Sequence, residues 1–273
     1  MSAAAASSNP VSEARVALRG IEKGFGGRAV LRGVDLTVAP GKITTILGGS
    51  GTGKSVLLKH IIGLLRPDRG RVFVAGQDVT EFTEAEWVGV RKGFGYVFQG
   101  AALFDSLSVL ENVAYPMREH QDPSEAEVRR RVADCLEAVG LSGIEAQMPA
   151  ELSGGMRKRV GVARAIAMEP DVLLYDEPTT GLDPGNSRRI AELVLSVRAR
   201  LGAASVIVTH DLTLCEAVSD HVTLLAEGRF AVEGTLAEIQ SSSDPAVREF
   251  LEGDRGDGPT QGRRPSAEGG TDL

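Results

Sequence analysis

A glycine-rich stretch, GGSGTGKS, separates two segments of different periodicity. The preceding KITTIL, residues 42–47, is apolar and β-branched, as is typical of a buried strand. The following KSVLLKHIIGLL, residues 54–65, has apolar residues at helical spacing. The stretch also fits the pattern G-x-x-x-x-G-K-S/T, which joins a strand to a helix in phosphate-binding (Walker A) loops. We therefore predict such a loop here, within an α/β domain.

The residue types of this loop suit the binding of an anion. Glycines let the backbone curl so that several N–H groups point at one phosphate, and the helix that follows adds the positive end of its dipole. Lys54 is expected to reach the β- and γ-phosphates, and the Ser55 hydroxyl to coordinate Mg²⁺. An ordinary glycine-rich turn is the alternative, and the flanking strand and helix favour the phosphate loop. The predicted nucleotide-binding residues are Gly48, Gly49, Ser50, Gly51, Thr52, Gly53, Lys54 and Ser55.

The composition of the 273-residue chain is that of a globular protein, with 42% hydrophobic and 25% charged residues. The net charge of −7 argues against a general nucleic-acid binder, which would usually be basic. Strand-like segments such as VLLYDE, residues 172–177, and SVIVTH, residues 205–210, alternate with helix-like ones, which predicts an α/β domain. Cys135 and Cys215 lack CxxC spacing and are expected to be small buried hydrophobes in a reducing cytosol.

The ends of the chain differ in composition from its centre. Residues 1–14 are small and polar, which predicts a flexible tail, and residues 253–273, rich in Gly, Pro and charge, are expected to be disordered. The N-terminal residues lack the features of a secretory signal, and no stretch approaches the ~20 apolar residues that cross a bilayer. We expect a protein that is soluble by itself, with any membrane role acting through a partner.

The segment DPSEAEVRRRVADCLEAVG predicts a helix. Asp122 is expected to cap it, Pro123 suits its first turn, and Glu125 would complete a capping box. Gly140 is expected to terminate it. Together with the segment after LSGG, it predicts a helical subdomain, at about residues 100–167, inserted in the α/β core. The expected buried stripe of the helix consists of Val128, Val132, Cys135, Leu136 and Val139.

Acidic residues end the strand-like segment VLLYDE, where ligands of parallel sheets collect. Asp176 is predicted to hold Mg²⁺ through water, and Glu177 to act as the general base toward the attacking water. Adjacent acids are more often solvated caps, but the apolar strand and the phosphate loop favour a catalytic pair. His210 ends the next apolar strand, where its ring is expected to contact the γ-phosphate and the attacking water. Gln99, in YVFQG, is expected to complete the metal shell and to report occupancy to the helical subdomain.

Taken in order, these motifs resemble those of the ATP-binding cassette (ABC) family over about residues 15–240. The resemblance implies a P-loop NTPase core with a mostly parallel sheet, an antiparallel β region and the inserted helical subdomain. Phe25, in KGFGG, is similar to the aromatic residue on which adenine stacks, and Gln99 to the glutamine of the Q-loop. The family commonly has proline at the position of Gly49, a difference that leaves the donors of the loop intact.

The resemblance also gives a role to a second glycine motif, LSGGM. Ser153, Gly154 and Gly155 resemble the family signature, which caps the γ-phosphate of ATP bound to a second copy of the chain. Two copies are thus expected to enclose two ATP and Mg²⁺ sites head to tail, and to part after hydrolysis. His210 resembles the switch histidine, and Asp183, in GLDP, lies in the motif that resembles the D-loop.

Three basic residues follow the signature motif, in MRKR. We interpret Arg157, Lys158 and Arg159 as a solvated helix face, because no nucleic acid is needed to explain them. No nucleic-acid partner is expected.

A single cassette without a membrane segment is expected to be the ATPase subunit of a transporter whose integral-membrane permease is a separate chain. It would lie peripherally on the cytoplasmic face of the inner membrane. The segment after Gln99 occupies the position of the family's permease-facing surface, and packing within the subdomain is the alternative for its apolar residues. The residues expected to form a groove for a permease helix include Leu103, Phe104, Leu107 and Val109.

Longer stretches resemble the ATP-binding subunits of Mla/Mce-type lipid transporters. Among them are GTGKSVLLKHIIGLLRPDRG and the terminal DPAVREFLEG, residues 244–253. The terminal stretch predicts a C-terminal helix, at residues 241–252, that packs on the partner subunit. The resemblance implies that the system moves phospholipid between the inner membrane and an extracytoplasmic MCE-type lipid-binding protein, although no residue of this chain would touch lipid.

Three other functions stay open at the level of sequence. The ATPase subunit of a different importer, such as one for amino acids, would use the same chemistry. A soluble ABC protein acting on ribosomes or DNA would usually carry two cassettes or a long coiled-coil insertion, and neither is found in this sequence. A regulator that binds ATP without turnover is opposed by the presence of Glu177 and His210.

Overall fold

The computed structural model of the protein describes residues 10–256. Within this range the chain forms ten strands in two sheets, with helices packed around them. The strands are β1 (Val16–Phe25), β2 (Arg28–Val38), β3 (Ile43–Leu47), β4 (Arg69–Val74), β5 (Gln77–Asp78), β6 (Phe94–Val97), β7 (Val172–Asp176), β8 (Ala204–Thr209), β9 (His221–Ala226) and β10 (Arg229–Gly234). The predicted fold class is confirmed: an α/β cassette with a mainly parallel sheet, an antiparallel sheet and a helical insertion.

The helices account for most of the remaining described residues. A 3₁₀ turn, Pro149–Glu151, precedes the helix that carries the second glycine motif. The α helices are α1 (Pro10–Glu13), α2 (Lys54–Ile61), α3 (Glu84–Arg91), α4 (Val109–His120), α5 (Glu125–Ala138), α6 (Gly154–Ile166), α7 (Pro184–Leu201), α8 (Leu212–Val218), α9 (Leu236–Ser241) and α10 (Pro245–Gly256).

The central sheet has the order β10–β9–β3–β8–β7–β6. All of its neighbouring pairs are parallel except β10 with β9. Strands β3 and β8 are buried along their whole length, and their sequences contain only apolar residues and small hydroxyl residues. Because the strands β3, β6, β7 and β8 are parallel, the loops that follow them meet at one edge of the sheet. The phosphate loop, the acidic pair, Gln99 and His210 all lie in those loops or at the ends of those strands.

The antiparallel sheet, in the order β2–β1–β4–β5, shares one hydrophobic core with α2 and the central sheet. A second core joins the helices of the insertion to α7 and the other side of the central sheet. The insertion leaves the core after β6 and returns at β7, with its α helices spanning Val109–Ile166. Helices α2 and α6, which follow the two glycine motifs, therefore pack through these two cores onto the same central sheet.

Helix α5 begins with a different cap from the one predicted. Ser124 is the N-cap, and its hydroxyl accepts from the Glu127 backbone N–H at 3.4 Å. The Glu127 carboxylate accepts from the backbone N–H of Ser124 at 2.9 Å and from its hydroxyl at 2.7 Å. The capping roles predicted for Asp122, Pro123 and Glu125 are therefore wrong. Gly140 follows the end of the helix with φ 66°, and the predicted apolar stripe is buried.

The ends of the described chain also differ from the predicted ranges. Residues 10–13 form α1, and Ala14 is buried. The backbone of Arg15 is fixed from two sides, because its N–H donates to the carbonyl of Val38 at the end of β2 and its carbonyl accepts from the N–H of Ala75, which follows β4. The C-terminal helix predicted at 241–252 is α10, Pro245–Gly256, so it begins and ends later than predicted. Its start is set by the end of α9 at Ser241 and by Asp244, whose carboxylate accepts from the Ala246 N–H at 2.8 Å. The rest of both predicted tails lies outside the described residues.

Both cysteines are buried, as predicted, and both are free. Each side chain is 1% exposed, Cys135 among the helices of the insertion and Cys215 in the small core beneath α10. Burial raises the pKa of each thiol to about 11. They are therefore uncharged packing residues at neutral pH.

Candidate functional site

The phosphate loop joins β3 to α2 and needs glycine at two positions, one for its backbone conformation and one for lack of space. Gly53 is the N-cap of α2 with φ 107°, in the left-handed region that side chains disfavour. A Cβ atom at Gly48 would lie 2.7 Å from the carbonyl oxygen of Leu225. The hydroxyl of Thr52 donates to the carbonyl of Gly49 at 3.0 Å and closes the turn. The loop thus presents its backbone to the cleft, as phosphate binding requires.

Lys54 is the buried cation of this loop, with 7% of its side chain exposed. Its Nζ donates to the carbonyls of Gly48 and Gly49, at 2.7 and 2.9 Å, and lies 3.1 Å from Oε1 of Glu177. A buried charge is tolerated only with such partners. The ion pair spans the cleft from the phosphate loop to the residue after β7.

Asp176, at the end of β7, accepts hydrogen bonds on both of its carboxylate oxygens. Ser55 Oγ donates to Oδ1 at 3.0 Å, and Tyr96 Oη donates to Oδ2 at 3.0 Å. Burial, followed by the Asp176 charge, raises the pKa of Tyr96, so its hydroxyl stays protonated and acts as the donor. Sequence reasoning missed Tyr96, which comes three residues before Gln99 and whose contact depends on the pairing of β6 with β7.

Glu177 has an unusual backbone and a crowded carboxylate. Its φ of 49° lies in the left-handed region, and its N–H donates to the Val208 carbonyl at 2.9 Å. Oε2 lies 2.9 Å from Nδ1 of His210 and accepts from the Thr180 hydroxyl at 3.3 Å. The Glu177 side chain is 12% exposed, whereas that of His210 is 55% exposed. The structure thus brings together Lys54, Glu177 and His210.

A cleft of about 890 Å³ is lined by these three residues. Its volume is within the range of small-molecule sites, and it is lined mainly by the predicted residues. Glu249 and Phe250, from α10, also line it, and nothing in their local sequence indicated this position. The predicted residues that line it are Gly49, Ser50, Gly51, Gly53, Lys54, Ser55, Gln99, Glu177 and His210.

A neighbouring depression of about 650 Å³ lies on the other side of the phosphate loop. Phe25, at the end of β1, lines it together with Ser50, Gly51 and Thr52. The Phe25 ring is 47% exposed, and Lys23 Nζ lies 5.6 Å from its centroid. Phe25 thus presents an exposed aromatic ring beside the phosphate loop.

The second glycine motif lies elsewhere. Ser153 is the N-cap of α6, and its hydroxyl accepts from the Met156 N–H at 3.2 Å. Asp183 is the N-cap of α7 and accepts from two backbone N–H groups, at 2.9 and 3.0 Å. A Cβ atom at Gly155 would lie 3.2 Å from Asn186 in the first turn of α7, so the two helix starts are adjacent. Among the described residues that line the cleft, none comes from Ser153–Gly155.

Two of the three basic residues after this motif are half-buried and hydrogen-bonded to backbone carbonyls, so the interpretation as a solvated face was wrong for them. Lys158 Nζ donates to the carbonyls of Pro178 and Thr180, at 2.8 and 2.7 Å. Arg159 donates to the carbonyls of Val139 and Gly140 after α5. These carbonyls lie outside the regular helices and strands, so they need hydrogen-bond donors from elsewhere in the chain. Lys158 therefore ties α6 to the loop that carries Glu177.

Residues 31–180, more than half of the chain, match the family model described as "ABC transporter". The chain belongs to the ABC transporter family. With the acidic pair and the histidine in place, the prediction of an ABC-type ATPase subunit is confirmed.

Curated ABC relatives are similar over most of the chain. The Escherichia coli K12 "Intermembrane phospholipid transport system ATP-binding protein MlaF" is 39% identical over 258 residues, covering 94% of this chain and 96% of MlaF. The Mycobacterium tuberculosis H37Rv "Probable ribonucleotide transport ATP-binding protein mkl" is 40% identical over 240 residues, covering 88% of this chain and 67% of mkl. The two names assign different cargoes to proteins of nearly equal similarity.

A solved ABC structure gives the same fold. The dimeric post-hydrolysis structure of the ATP-binding cassette MJ0796, bound to ADP and Pi, has a TM-score of 0.74 and 31% identity to this chain. The match covers 81% of this chain and 98% of MJ0796. No helix in the described part of the chain is both long and apolar enough to cross a membrane.

Proposed function

We propose that this ABC subunit binds ATP and Mg²⁺ in the cleft, hydrolyses ATP between two copies of the chain, and drives a separate permease that moves phospholipid. One observation carries the composite site. The cleft of one chain is lined by the phosphate loop, Glu177 and His210, and Asp176 adjoins it through its hydrogen bond with Ser55, but within residues 10–256 no group from the signature lines it. A second copy would supply Ser153 and the N-terminus of α6 to the γ-phosphate.

The residues around Ser55 fit a hard divalent cation. A hydroxyl and a carboxylate lie 3.0 Å apart, and the Gln99 amide lines the same cleft, so the donors are the oxygens that Mg²⁺ prefers. Within the described chain no group of three or more His, Cys, Asp or Glu side chains could hold a metal alone. Ser55, Asp176 and Gln99 would therefore hold Mg²⁺ together with the phosphates of the nucleotide. When bound, Mg²⁺ supplies charge neutralisation on the β- and γ-phosphates.

Glu177 is suited to take the proton of the attacking water. Its carboxylate lies 3.1 Å from Nζ of Lys54 and lines the cleft. The Lys54 ammonium would exchange its contacts with the loop carbonyls and with Oε1 of Glu177 for phosphate oxygens, which leaves that carboxylate oxygen free to accept a hydrogen bond from water. His210, 2.9 Å from the same carboxylate, would orient that water and contact the γ-phosphate. The proton then resides on Glu177 until phosphate leaves.

A phospholipid cargo is favoured by how the relatives match. The alignment with MlaF runs through 94% of this chain and nearly the whole of MlaF, whereas the alignment with mkl covers 88% and 67%. MlaF is named for intermembrane phospholipid transport, and we extend that role to this chain. The partners would then be a second copy, an integral-membrane permease and an MCE-type lipid-binding protein. The chain would act at the cytoplasmic face of the inner membrane.

The segment after Gln99 offers a surface for the permease. Phe104 is 42% exposed, and its ring stacks on that of Tyr115, with centroids 4.7 Å apart. Arg164 lies 5.9 Å from the Phe104 centroid and donates to the carbonyls of Ala101 and Ala102. Val109 is buried and packs within the subdomain, so it does not contribute to this surface. An exposed aromatic pair on a braced loop suits the end of a permease helix.

Purification of the tagged chain from native membranes tests the transport role. We expect a permease, an MCE-domain protein and phospholipid to co-purify. Phe104→Asp should release the permease and leave the ATPase folded. Leu195→Asp, on a similarly exposed residue of α7, is the matched control and should retain it. A complex with a solute-binding protein and without phospholipid would overturn the proposed cargo but not the ATPase.

A further inference from the structure

The carboxylate of Asp176 is fixed from two sides by hydroxyl groups on different elements. Ser55, in the first turn of α2, donates to Oδ1, and Tyr96, in β6, donates to Oδ2, each at 3.0 Å. The terminal torsion of an aspartate is soft, so one donor leaves the plane of the carboxylate free to turn. Two donors on opposite oxygens define that plane.

We propose that Tyr96 is a positioning residue for the metal of the bound nucleotide: its hydroxyl holds the Asp176 carboxylate in the orientation that faces Ser55 and the cation. The proposal rests on the proposed binding of Mg²⁺ by Ser55 and Asp176. Tyr96 acts on the cation only through Asp176. Groups that orient metal ligands in this way typically influence metal affinity about 10–100-fold.

Tyr96 is itself held in place. Its ring packs on the core shared by α2 and the antiparallel sheet, and it stacks on Phe98 with centroids 4.3 Å apart. A tyrosine has only two side-chain torsions, so a packed ring delivers its hydroxyl to a fixed point. The hydroxyl therefore has the rigidity that a positioning group needs.

The alternative is that this hydrogen bond merely ties β6 to β7. The two strands are already joined by a parallel ladder, in which Tyr96 pairs with Leu174 and Val97 with Tyr175. That ladder and the buried side chains of β7 hold the strands together without the hydroxyl. The Tyr96 hydroxyl bonds to the side-chain oxygen Oδ2 of Asp176 rather than to the backbone of β7, which favours a role at the site.

The chain offers a matched control one residue before Asp176. Tyr175 is fully buried, and its hydroxyl has no hydrogen-bond partner among the described atoms. Tyr175→Phe and Tyr96→Phe each remove one hydroxyl, the first from a buried ring in β7 and the second from a half-buried ring in the neighbouring β6. They differ in that the Tyr96 hydroxyl contacts Asp176.

Binding of the fluorescent analogue mant-ATP, at buffered free Mg²⁺, tests the proposal in the Glu177→Gln background, where hydrolysis is slow. Tyr96→Phe should raise the Mg²⁺ concentration at half-maximal binding about 10-fold. Binding of mant-ATP in EDTA and the thermal unfolding midpoint should not change. Tyr175→Phe should leave all three measurements unchanged. Tyr96→Met supplies a second variant without the hydroxyl, should Phe prevent folding.

Two results would overturn the proposal and can be told apart. A folded Tyr96→Phe protein whose Mg²⁺ midpoint stays within about 2-fold of the parent would mean that the hydroxyl does not position Asp176. A parent whose mant-ATP binding does not depend on Mg²⁺ would overturn the proposed metal site itself, and the role of Tyr96 with it.

Discussion

Glu177 shares one carboxylate between two basic partners. Oε1 faces Lys54 at 3.1 Å and Oε2 faces His210 at 2.9 Å, while the backbone stands at φ 49°. A residue other than glycine keeps such a conformation only where its surroundings impose it. Here the N–H of Glu177 is bound by Val208 on β8, so the turn after β7 aims the side chain into the cleft.

Replacement of Glu177 by Gln keeps the shape of the side chain and removes the proton acceptor. Turnover should fall by about 10²–10⁴, the usual effect of losing a general base, while ATP binding persists. Phosphate release and mant-ATP binding measure the two effects. Glu169→Gln is the control, because Glu169 also has a positive φ, of 52°, and a basic partner, Arg131 at 2.9 Å, away from the cleft. Wild-type turnover in Glu177→Gln would mean that another group accepts the proton.

Residues within one motif could be placed from the sequence because their spacing is local. The phosphate loop needs only the succession of strand, glycines and helix, and the acidic pair needs only the end of an apolar strand. Tyr96 could not be placed in this way, since it meets Asp176 across 80 residues of sequence. Its contact depends on which strand neighbours β7, and that order is a property of the whole sheet.

At the scale of an element, the start of α5 shows how a local pattern misleads. Asp122 and Glu125 have the spacing of a capping box, and so do Ser124 and Glu127. Two carboxylates facing each other would repel, and neither can donate a hydrogen bond when ionised. The Ser124 hydroxyl accepts from the backbone and also donates to Glu127, at 2.7 Å, so the second pair forms the cap.

Ser124→Ala should therefore lower the free energy of unfolding by about 1 kcal/mol, the usual cost of a lost N-cap. Asp122→Ala, two residues away, should cost less than about 0.5 kcal/mol, as is common for surface positions. Urea unfolding followed by far-UV circular dichroism measures both. A larger loss of stability for Asp122→Ala than for Ser124→Ala would mean that Asp122, and not Ser124, caps the helix.

Helix α10 is an element whose position the sequence does not show. Val247 and Leu251 are buried in one core with Cys215 and Ile239. Their apolar character indicates that one face of the helix is buried, but not which part of the protein it packs against. The structure places it so that Phe250 lines the cleft together with the phosphate loop. A helix from the last described part of the chain thus forms one wall of the site.

At the scale of the whole molecule, the two glycine motifs of one chain lie at different places. The phosphate loop opens into the cleft, whereas Ser153 caps α6 beside the start of α7 and does not line that cleft. Each cleft would be closed only when a second copy brings its own Ser153 and Asp183 to it. In a symmetric dimer this pairing produces two equivalent sites.

Mixed dimers of two inactive variants test this pairing. Lys54→Ala removes the phosphate-binding cation of a chain's own cleft, and Ser153→Arg blocks the signature that the chain lends to its partner, so each variant alone should lose turnover. Random mixing in equal amounts should restore about a quarter of wild-type turnover, because half of the dimers are mixed and each contains one intact site of two. Phosphate release and isolation of mixed dimers by two different tags provide the measurement. Ser196→Arg, at an exposed serine of α7, is the control and should remain active. Turnover by Ser153→Arg alone, or none in isolated mixed dimers, would contradict a site shared between chains.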